Sequence, residues 1–287
     1  MTEDRIHRAA SADGTEIAGR VQGQGPPLVL AHPNVLDGDI AWAALVPHLA
    51  DRFTCYLPSL RGRGLSSDHP DHSPRRLQED IIAFVDSIGE PVCLVGWSDS
   101  GAMFGAAIHS DAVAAVAAFE PSVYPLLRED DLAAFGATIE QWTTEAADGR
   151  LGDAALTFHR FVCTEVEFAA LEADYLEWFQ ANVPVLMEEL RQEASYEGPD
   201  PTDPEMLARI TAPVLVLRSL EGALGTFFAD SAEHIAKHVT DAHVRELPDI
   251  GHFAPVVAPE PLAKELIAFF ESVRRPASPG FADPDSE

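Results

Sequence analysis

Short apolar runs alternate with helical patterns along most of this chain, and this alternation restricts the fold more than any other feature of the sequence. The runs that favour strands cover residues 16–21, 28–32, 53–57, 92–95, 113–119, 214–217 and 243–247. Helical spacing of apolar residues occurs over residues 40–50, 74–88, 103–109, 227–238 and 261–273. Strands that alternate with helices form parallel sheets covered by helices. The sequence therefore predicts an α/β fold with a mostly parallel sheet.

The alternation breaks between about residues 126 and 206, where helical spacing continues without strand patterns and aromatic residues are frequent. A segment rich in turn-forming residues, 197–204, leads back to the sheet. We interpret residues 126–205 as a helical insertion in a core made of residues 1–125 and 206–275. A length of 287 residues suits one α/β domain with such an insertion. Residues 276–287 are rich in proline and acidic side chains, and we predict that they are disordered.

Residues 91–101 read Pro-Val-Cys-Leu-Val-Gly-Trp-Ser-Asp-Ser-Gly, an apolar run followed by a turn of small residues and a helical stretch. A serine on such a strand-to-helix turn is exposed at the edge of the sheet, where it can act as a nucleophile. Gly96 precedes Ser98 by two residues, and Ser100 stands where the commonest form of the motif has glycine. We therefore predict that Ser98 is a nucleophile.

A serine hydroxyl is a weak nucleophile until a base takes its proton and an acid orients that base. Among the 11 histidines, His252 has a suitable context, because the loop 248–253 directly follows the last predicted strand. A loop at that place can reach the edge of the sheet where the serine turn ends. We therefore predict that His252 is the base.

Four segments in this order resemble the α/β-hydrolase family: Leu-Val-Leu-Ala-His-Pro-Asn (28–34), Arg-Gly-Arg-Gly-Leu-Ser (61–66), Gly-Trp-Ser-Asp-Ser-Gly (96–101) and Gly-His-Phe (251–253). The resemblance covers nearly all of the chain. It implies an eight-stranded sheet, a helical cap inserted after strand six and a site beneath that cap. It also implies that the backbone N–H groups of Asn34 and Asp99 form an oxyanion hole. Pro33 stands where the family usually has glycine.

The acid of the triad is the least certain position in the sequence. Most members of the family place it after strand seven, where this chain has Gly222. Some branches take it from the end of strand six, where Glu120 closes an apolar run and would need a partner if buried. We predict that Glu120 is the acid, with Glu221, Asp230 and Asp249 as alternatives.

The residues beside these motifs are candidates for the substrate pocket. We predict that His32, Trp97, Tyr124 and Phe253 line it, and that some aromatic rings of the cap form its roof. The spacing of His234 and His238 would suit metal binding, but the sequence offers no third ligand. We predict neither a metal site nor a cofactor.

The formal net charge of −28 disfavours binding to nucleic acid and to anionic membranes. The first residues lack the apolar core of a secretion signal, and the three cysteines show no paired spacing. We expect a cytoplasmic protein whose partner is a small-molecule substrate. The oligomeric state is left open, with a homodimer as one option.

These features predict a serine hydrolase that cleaves a small, fairly apolar carboxylic ester, lactone or thioester through an acyl-enzyme on Ser98. The alternative is a lyase, a cyclase or a C–C bond hydrolase that uses the same pocket, since one fold hosts many reactions. A third reading is a ligand-binding protein with an inactive triad, because Gly222 occupies the usual position of the acid.

Overall fold

The computed structural model describes residues 5–99, 101–171, 173–222 and 224–274. Within these residues one sheet contains eight strands: β1 (Arg5–Ala10), β2 (Glu16–Gly23), β3 (Pro27–Ala31), β4 (Thr54–Pro58), β5 (Val92–Trp97), β6 (Val113–Phe119), β7 (Val214–Ser219) and β8 (Ala242–Leu247). Their spatial order is β1-β2-β4-β3-β5-β6-β7-β8. The pairs β1–β2 and β2–β4 are antiparallel, and all other neighbours are parallel. The predicted α/β fold with a mostly parallel sheet is confirmed.

The helices of the described residues lie between these strands and after them. They are α1 (Gly38–Trp42), α2 (Val46–Leu49), α3 (Pro74–Ser87), α4 (Gly101–His109), α5 (Glu129–Ala147), α6 (Leu151–Val162), α7 (Glu165–Ala170), α8 (Ala173–Glu193), α9 (Pro204–Leu207), α10 (Gly225–His238), α11 (Ala254–Val257) and α12 (Pro259–Arg274), with a 3-10 turn at Tyr124–Leu126. None of them is long and apolar enough to cross a membrane, within the residues described.

Two elements differ from the sequence prediction. β1 has no apolar run, because it is an edge strand in which every residue is at least partly exposed. The single helix predicted over residues 40–50 is instead two short helices, α1 and α2. Pro47 lies in the first turn of α2. Proline has no N–H and its ring clashes with the preceding turn, so one continuous helix is disfavoured there.

The sheet separates two apolar layers. Leu28 and Val29, which are neighbours on β3, belong to different layers because successive strand residues point to opposite faces. Phe104 of α4 is fully buried in one layer, and Trp42 and Phe270 are fully buried in the other. Truncating such a buried ring costs about 3–5 kcal/mol. The two layers therefore hold the strand ends, where the site lies, in fixed positions.

Strands β1 to β6 precede α5 in the chain, and α5 to α8 follow one another between β6 and β7. α6 contacts both α5 and α8, and α7 contacts α11 of the other part of the chain. We propose that residues 126–205 form a cap on a core made of residues 1–125 and 206–275. The predicted disorder of residues 276–287 lies outside the described residues.

Candidate active site

Ser98 lies on the turn between β5 and α4 with a backbone φ of 62°. This left-handed conformation is strained for a residue with a side chain, and it lifts the hydroxyl out of the sheet edge. Two backbone bonds hold the turn: Ser98 N–H donates to the Phe119 carbonyl at 3.0 Å, and Ser122 N–H donates to the Ser98 carbonyl at 3.0 Å. The end of β6 therefore fixes the turn that presents Ser98.

Three residues predicted as nucleophile, base and acid meet at this edge. His252 Nε2 lies 3.0 Å from Ser98 Oγ, and His252 Nδ1 lies 2.6 Å from Glu120 Oε2. An ionised carboxylate can only accept hydrogen bonds, so Nδ1 carries the proton and the lone pair of Nε2 faces the serine hydroxyl. The line of atoms is the one that proton transfer from serine to histidine requires.

The Glu120 carboxylate is held from both sides. The side chain is 1% exposed, and its second oxygen, Oε1, accepts the Ser219 N–H at 2.9 Å. The Ser219 hydroxyl also contacts Oε1. The backbone of Glu120 has a φ of 44°, and its N–H donates to the Leu217 carbonyl at 2.8 Å. These bonds orient a buried charge that would otherwise be costly.

The three alternative acids lie elsewhere. The side chains of Glu221 and Asp249 are exposed. Asp230 forms an ion pair with Arg128, with 2.8 Å between the nitrogen and the oxygen. Among the described residues, Glu120 supplies the carboxylate that contacts the imidazole.

Asn34 and Asp99, the two residues predicted for the oxyanion hole, lie side by side. Asn34 Nδ2 donates to Asp99 Oδ2 at 3.1 Å, and Asn34 shares a cavity wall with Ser98. Arg63 fixes the backbone at Asn34, because its Nη2 donates to the Asn34 carbonyl at 2.5 Å. The same guanidinium binds both oxygens of Glu189 on α8, at 2.5 and 2.6 Å. A bidentate ion pair thus joins the cap helix to the Asn34 loop.

A largely apolar cavity of about 50 Å³ lies over Ser98 and His252. Its polar wall contains these two residues with Asn34, Ser122 and Tyr124. Its apolar wall comes from both parts of the chain: Val35, Leu127, Phe135, Ile139, Trp142, Phe158, Val162, Leu186, Leu190, Leu224, Phe227 and Phe228. Rings of α5 and α6 therefore form part of its roof.

A second cavity of about 210 Å³ adjoins the first, and both are lined by Asn34, Ser122 and Tyr124. Its lining residues include four acids: Asp99, Glu189, Glu193 and Asp200. Burial raises the pKa of the Asp99 carboxyl to about 6, and the charges of Glu189 and Asp200 act in the same direction. The approach to Ser98 is therefore acidic on one side and apolar on the other.

Of the four residues predicted to line the pocket, the structure places Tyr124 in the wall of both cavities. Trp97 and Phe253 lie behind the site, each 1% exposed. Their rings pack edge to face with centroids 5.2 Å apart, and each centroid is 5.8 Å from that of His252. Both side chains therefore support the imidazole instead of facing substrate. The face of the imidazole is covered by Phe228, whose ring is stacked on it at 4.7 Å.

His32 also lies behind the site instead of in the pocket. Its Nε2 accepts the Leu60 N–H at 2.9 Å, so the proton is on Nδ1, which donates to the Pro33 carbonyl at 2.7 Å. Burial lowers the pKa of His32 to about 4, with the Arg63 charge acting in the same direction. A neutral His32 thus fixes the backbone at the end of β3.

The structure adds supporting residues that the sequence prediction did not contain: Ser219, Arg63, Glu189, Glu167 and Phe228. Arg63 lies in a segment that carries the family resemblance, but its partner on α8 had no local signal. Thr164 and Glu167 form a capping box at the start of α7. That pattern is visible in the sequence. Glu167 also accepts the Phe253 N–H at 2.7 Å, a contact that is visible only in the structure.

His234 and His238, the pair with metal-ligand spacing, each lie near a backbone carbonyl. In the described parts of the chain, no cluster of three or more His, Cys, Asp or Glu side chains could hold a metal ion. His234 Nε2 lies 2.9 Å from the Thr202 carbonyl, and His238 Nδ1 lies 2.8 Å from the His234 carbonyl. The three cysteines are buried and free.

Comparisons identify known proteins that share this fold. Solved structures with the same fold include an alpha/beta hydrolase from Sphaerobacter thermophilus DSM 20745, with a TM-score of 0.71 and 27% identity over 92% of this chain and 100% of that chain. A thermophilic esterase from Thermogutta terrifontis has a TM-score of 0.74 and 22% identity over 94% of this chain and 100% of its own. At 22% identity, the similarity to the Thermogutta terrifontis esterase shows a shared fold and no more.

A curated relative is the pimeloyl-[acyl-carrier protein] methyl ester esterase of Stenotrophomonas maltophilia (strain R551-3), 33% identical over 142 residues, which are 42% of this chain and 52% of the relative. The chain spans about half the length of the curated relatives it matches. Residues 28–265 match the model of the family described as Alpha/beta hydrolase family. This chain is therefore an enzyme that belongs to the alpha/beta hydrolase family.

Proposed function

We propose that this enzyme is a serine hydrolase that cleaves a small, fairly apolar carboxylic ester, lactone or thioester through an acyl-enzyme on Ser98. The observation that carries the proposal is the hydrogen-bonded line from Ser98 Oγ through His252 to Glu120, with spacings of 3.0 and 2.6 Å. A nucleophile, a base and an orienting acid in this geometry are the requirements for acyl transfer.

In the first half of the reaction, Ser98 Oγ attacks the carbonyl carbon while His252 Nε2 takes the hydroxyl proton. Glu120 stabilises the imidazolium that forms, and it keeps the proton of Nδ1 in place. The negative charge moves to the carbonyl oxygen, which the N–H groups of Asn34 and Asp99 bind. The bond to the leaving group then breaks, and His252 Nε2–H donates its proton to the departing alkoxide or thiolate.

In the second half, water replaces the leaving group. His252 Nε2 takes one proton from the water as its oxygen attacks the acyl carbon. A second tetrahedral intermediate forms at the same N–H groups. It collapses when the bond to Ser98 Oγ breaks, and the proton on Nε2 returns to that oxygen. The products are a free carboxylic acid and the original hydroxyl group.

The two cavities support the preference for a neutral, apolar acyl group. The smaller cavity, about 50 Å³, is lined mostly by aliphatic and aromatic side chains and touches both Ser98 and His252. The larger cavity is acidic, and the whole chain has a formal net charge of −28. Burial raises the pKa of Glu193 to about 8, so the charge of this cavity comes from its other acids. These charges and the net charge of the chain would repel a negatively charged substrate. A relative that is named for cleaving a methyl ester supports an ester as substrate.

The proposal is tested with a fluorophosphonate probe and with p-nitrophenyl esters of two to eight acyl carbons. We expect covalent labelling of Ser98, identified by peptide mass spectrometry, and turnover that is fastest for short neutral acyl chains. Ser98→Ala and His252→Ala should each lower kcat/KM by at least about 1,000-fold. Ser272→Ala removes an exposed serine of α12 and serves as the matched control.

Three results would contradict the proposal in different ways. A labelled Ser98 with no turnover of any ester favours a lyase or a cyclase. Tight binding of small molecules without labelling favours a binding protein. Turnover that survives in Ser98→Ala requires another nucleophile, and it rules out an acyl-enzyme on this residue.

A further inference from the structure

Glu167 on the cap helix α7 is a buried carboxylate that reaches the loop of the proposed base. The side chain is 4% exposed. Its Oε1 accepts the Phe253 N–H at 2.7 Å. Its Oε2 accepts the Thr164 N–H at 2.9 Å and the Thr164 hydroxyl at 3.1 Å. One carboxylate therefore joins the start of a cap helix to the residue that follows His252.

The bond to Phe253 acts on the peptide group between His252 and Phe253. The orientation of that peptide sets the backbone angle ψ of His252, and hence the direction in which its imidazole leaves the backbone. A charged acceptor forms a shorter and stronger bond to an N–H than a neutral acceptor does. Glu167 thus restrains the residue whose Nε2 must lie within hydrogen-bond distance of Ser98.

Gly251, which precedes His252 in the chain, lies close to the same carboxylate. A Cβ added at Gly251 would lie 2.3 Å from Glu167 Oε2 and 2.5 Å from its carboxyl carbon. Its φ is not in the left-handed region. A side chain at this position would therefore meet the Glu167 carboxylate, whereas the local backbone would accept it. Both neighbours of His252 in the sequence are fitted to one cap side chain.

We propose that Glu167 is a positioning residue for the hydrolytic reaction, which acts from the cap through the Phe253 N–H to hold the His252 imidazole in line with Ser98. The inference rests on the proposed function, because it assigns His252 the role of base. It also makes the cap part of the catalytic machinery, in addition to its place in the roof of the pocket.

Glu167→Gln is the first test. Both carboxylate oxygens accept from backbone N–H groups, and an amide has only one oxygen. The NH₂ group must therefore face an N–H donor, and one of the two bonds is lost. We expect kcat to fall about 10- to 100-fold, as misplacement of a catalytic group by an ångström or less does, with little change in KM. The rate of fluorophosphonate labelling at Ser98 should fall in parallel.

Thr164→Ala is the matched control. It removes the capping hydroxyl of α7, which also donates to Glu167 Oε2. Both backbone N–H bonds to the Glu167 carboxylate, from Thr164 and from Phe253, stay in place. We expect a lower melting temperature and a kcat within roughly twofold of the wild type, since a lost cap affects helix stability. All variants are assayed well below their melting temperatures, with folding checked by circular dichroism.

Gly251→Ala perturbs the same contact from the loop and keeps the inference testable if Glu167→Gln does not fold. The added methyl group should lower kcat in the wild-type background and have a much smaller effect when Glu167 is alanine. A merely structural role would not produce this coupling in kcat at constant KM. Equal losses in Thr164→Ala and Glu167→Gln, or independent effects of Glu167→Ala and Gly251→Ala, would overturn the inference alone. A wild-type protein that is inert to both probe and esters would overturn the proposed function and, with it, this assignment.

Discussion

Replacing Glu120 by glutamine tests which carboxylate serves the base, and the structure dictates how the new amide must lie. Ser219 N–H donates to Oε1 at 2.9 Å, so the glutamine oxygen has to take that position. The NH₂ group then faces His252 Nδ1, at the place where Oε2 now lies 2.6 Å away. A donor at this place forces Nδ1 to accept. The proton moves to Nε2, which can no longer take the proton of Ser98.

The expected loss is large because the variant holds the imidazole in the wrong tautomer without moving it. A carboxylate-to-amide change of this kind in other triads lowers kcat about 10⁴-fold, which corresponds to about 5.5 kcal/mol of transition-state stabilisation. We expect the same decrease in kcat for a p-nitrophenyl ester, with KM changed little. The melting temperature should stay close to that of the wild type, because the shape of the side chain is retained and its oxygen still accepts from Ser219.

The controls are the acids that the sequence left open. Glu221→Gln and Asp249→Asn change exposed side chains, and Asp230→Asn breaks an ion pair with Arg128. Each should keep kcat within a few-fold of the wild type. The reasoning fails if Glu120→Gln retains more than a tenth of the activity, or if one of the three controls loses as much as it does.

Three further predictions concern the charges around the site. Arg63→Met removes the bidentate partner of the buried Glu189 carboxylate and leaves His72, whose Nδ1 is 3.9 Å away. The free energy of unfolding should fall by about 3–5 kcal/mol, and adding Glu189→Met should restore most of it. Urea titration measures both changes. Burial lowers the pKa of His32 and of His159 to about 4. Between pH 6.5 and pH 4, the unfolded chain therefore binds protons that the folded chain does not bind. The free energy of unfolding should fall as the pH decreases over this range, by about 3 kcal/mol for each group. Urea midpoints at pH 7.5 and 5.0 show this loss, and His159→Leu should reduce it. The pKa of Asp99 is raised to about 6, so its side chain gains negative charge as the pH rises through that value. The preference for a neutral ester over an anionic one should therefore grow over the same pH range. This preference should shrink with added salt, and it should depend less on pH in Asp99→Asn.

The sequence predicted those parts of the site that have local signals at strand ends. The turn at Ser98, the loop at His252 and the end of β6 at Glu120 each follow a recognisable strand, and parallel strands bring their carboxyl ends to one edge. The pocket residues were harder to predict, because nearness in sequence does not decide which face a side chain takes. Trp97 precedes Ser98 directly, but its side chain points into the buried layer behind the turn.

Contacts between the cap and the core could not be read from the sequence, since helical periodicity shows which face is apolar but not where the helix docks. Glu189 and Glu167 look like ordinary helix-surface acids in the sequence. Both are buried in the structure, at 4% exposure each, because their partners lie on loops far away in the chain. The charge of an acid on a helix therefore gives little information about its burial until the docking of that helix is known.

These two acids connect the cap to opposite sides of the nucleophile. Glu189 reaches the carbonyl of Asn34 through Arg63, and Glu167 reaches the N–H that follows His252. Displacing the cap would break both connections and leave buried charges without partners, which is costly. We therefore expect the proposed cap to couple the geometry at Asn34, the geometry at His252 and the shape of the apolar pocket. A substitution that shifts the cap should change kcat as well as KM, whereas a change confined to the pocket wall should act chiefly on the choice of acyl group.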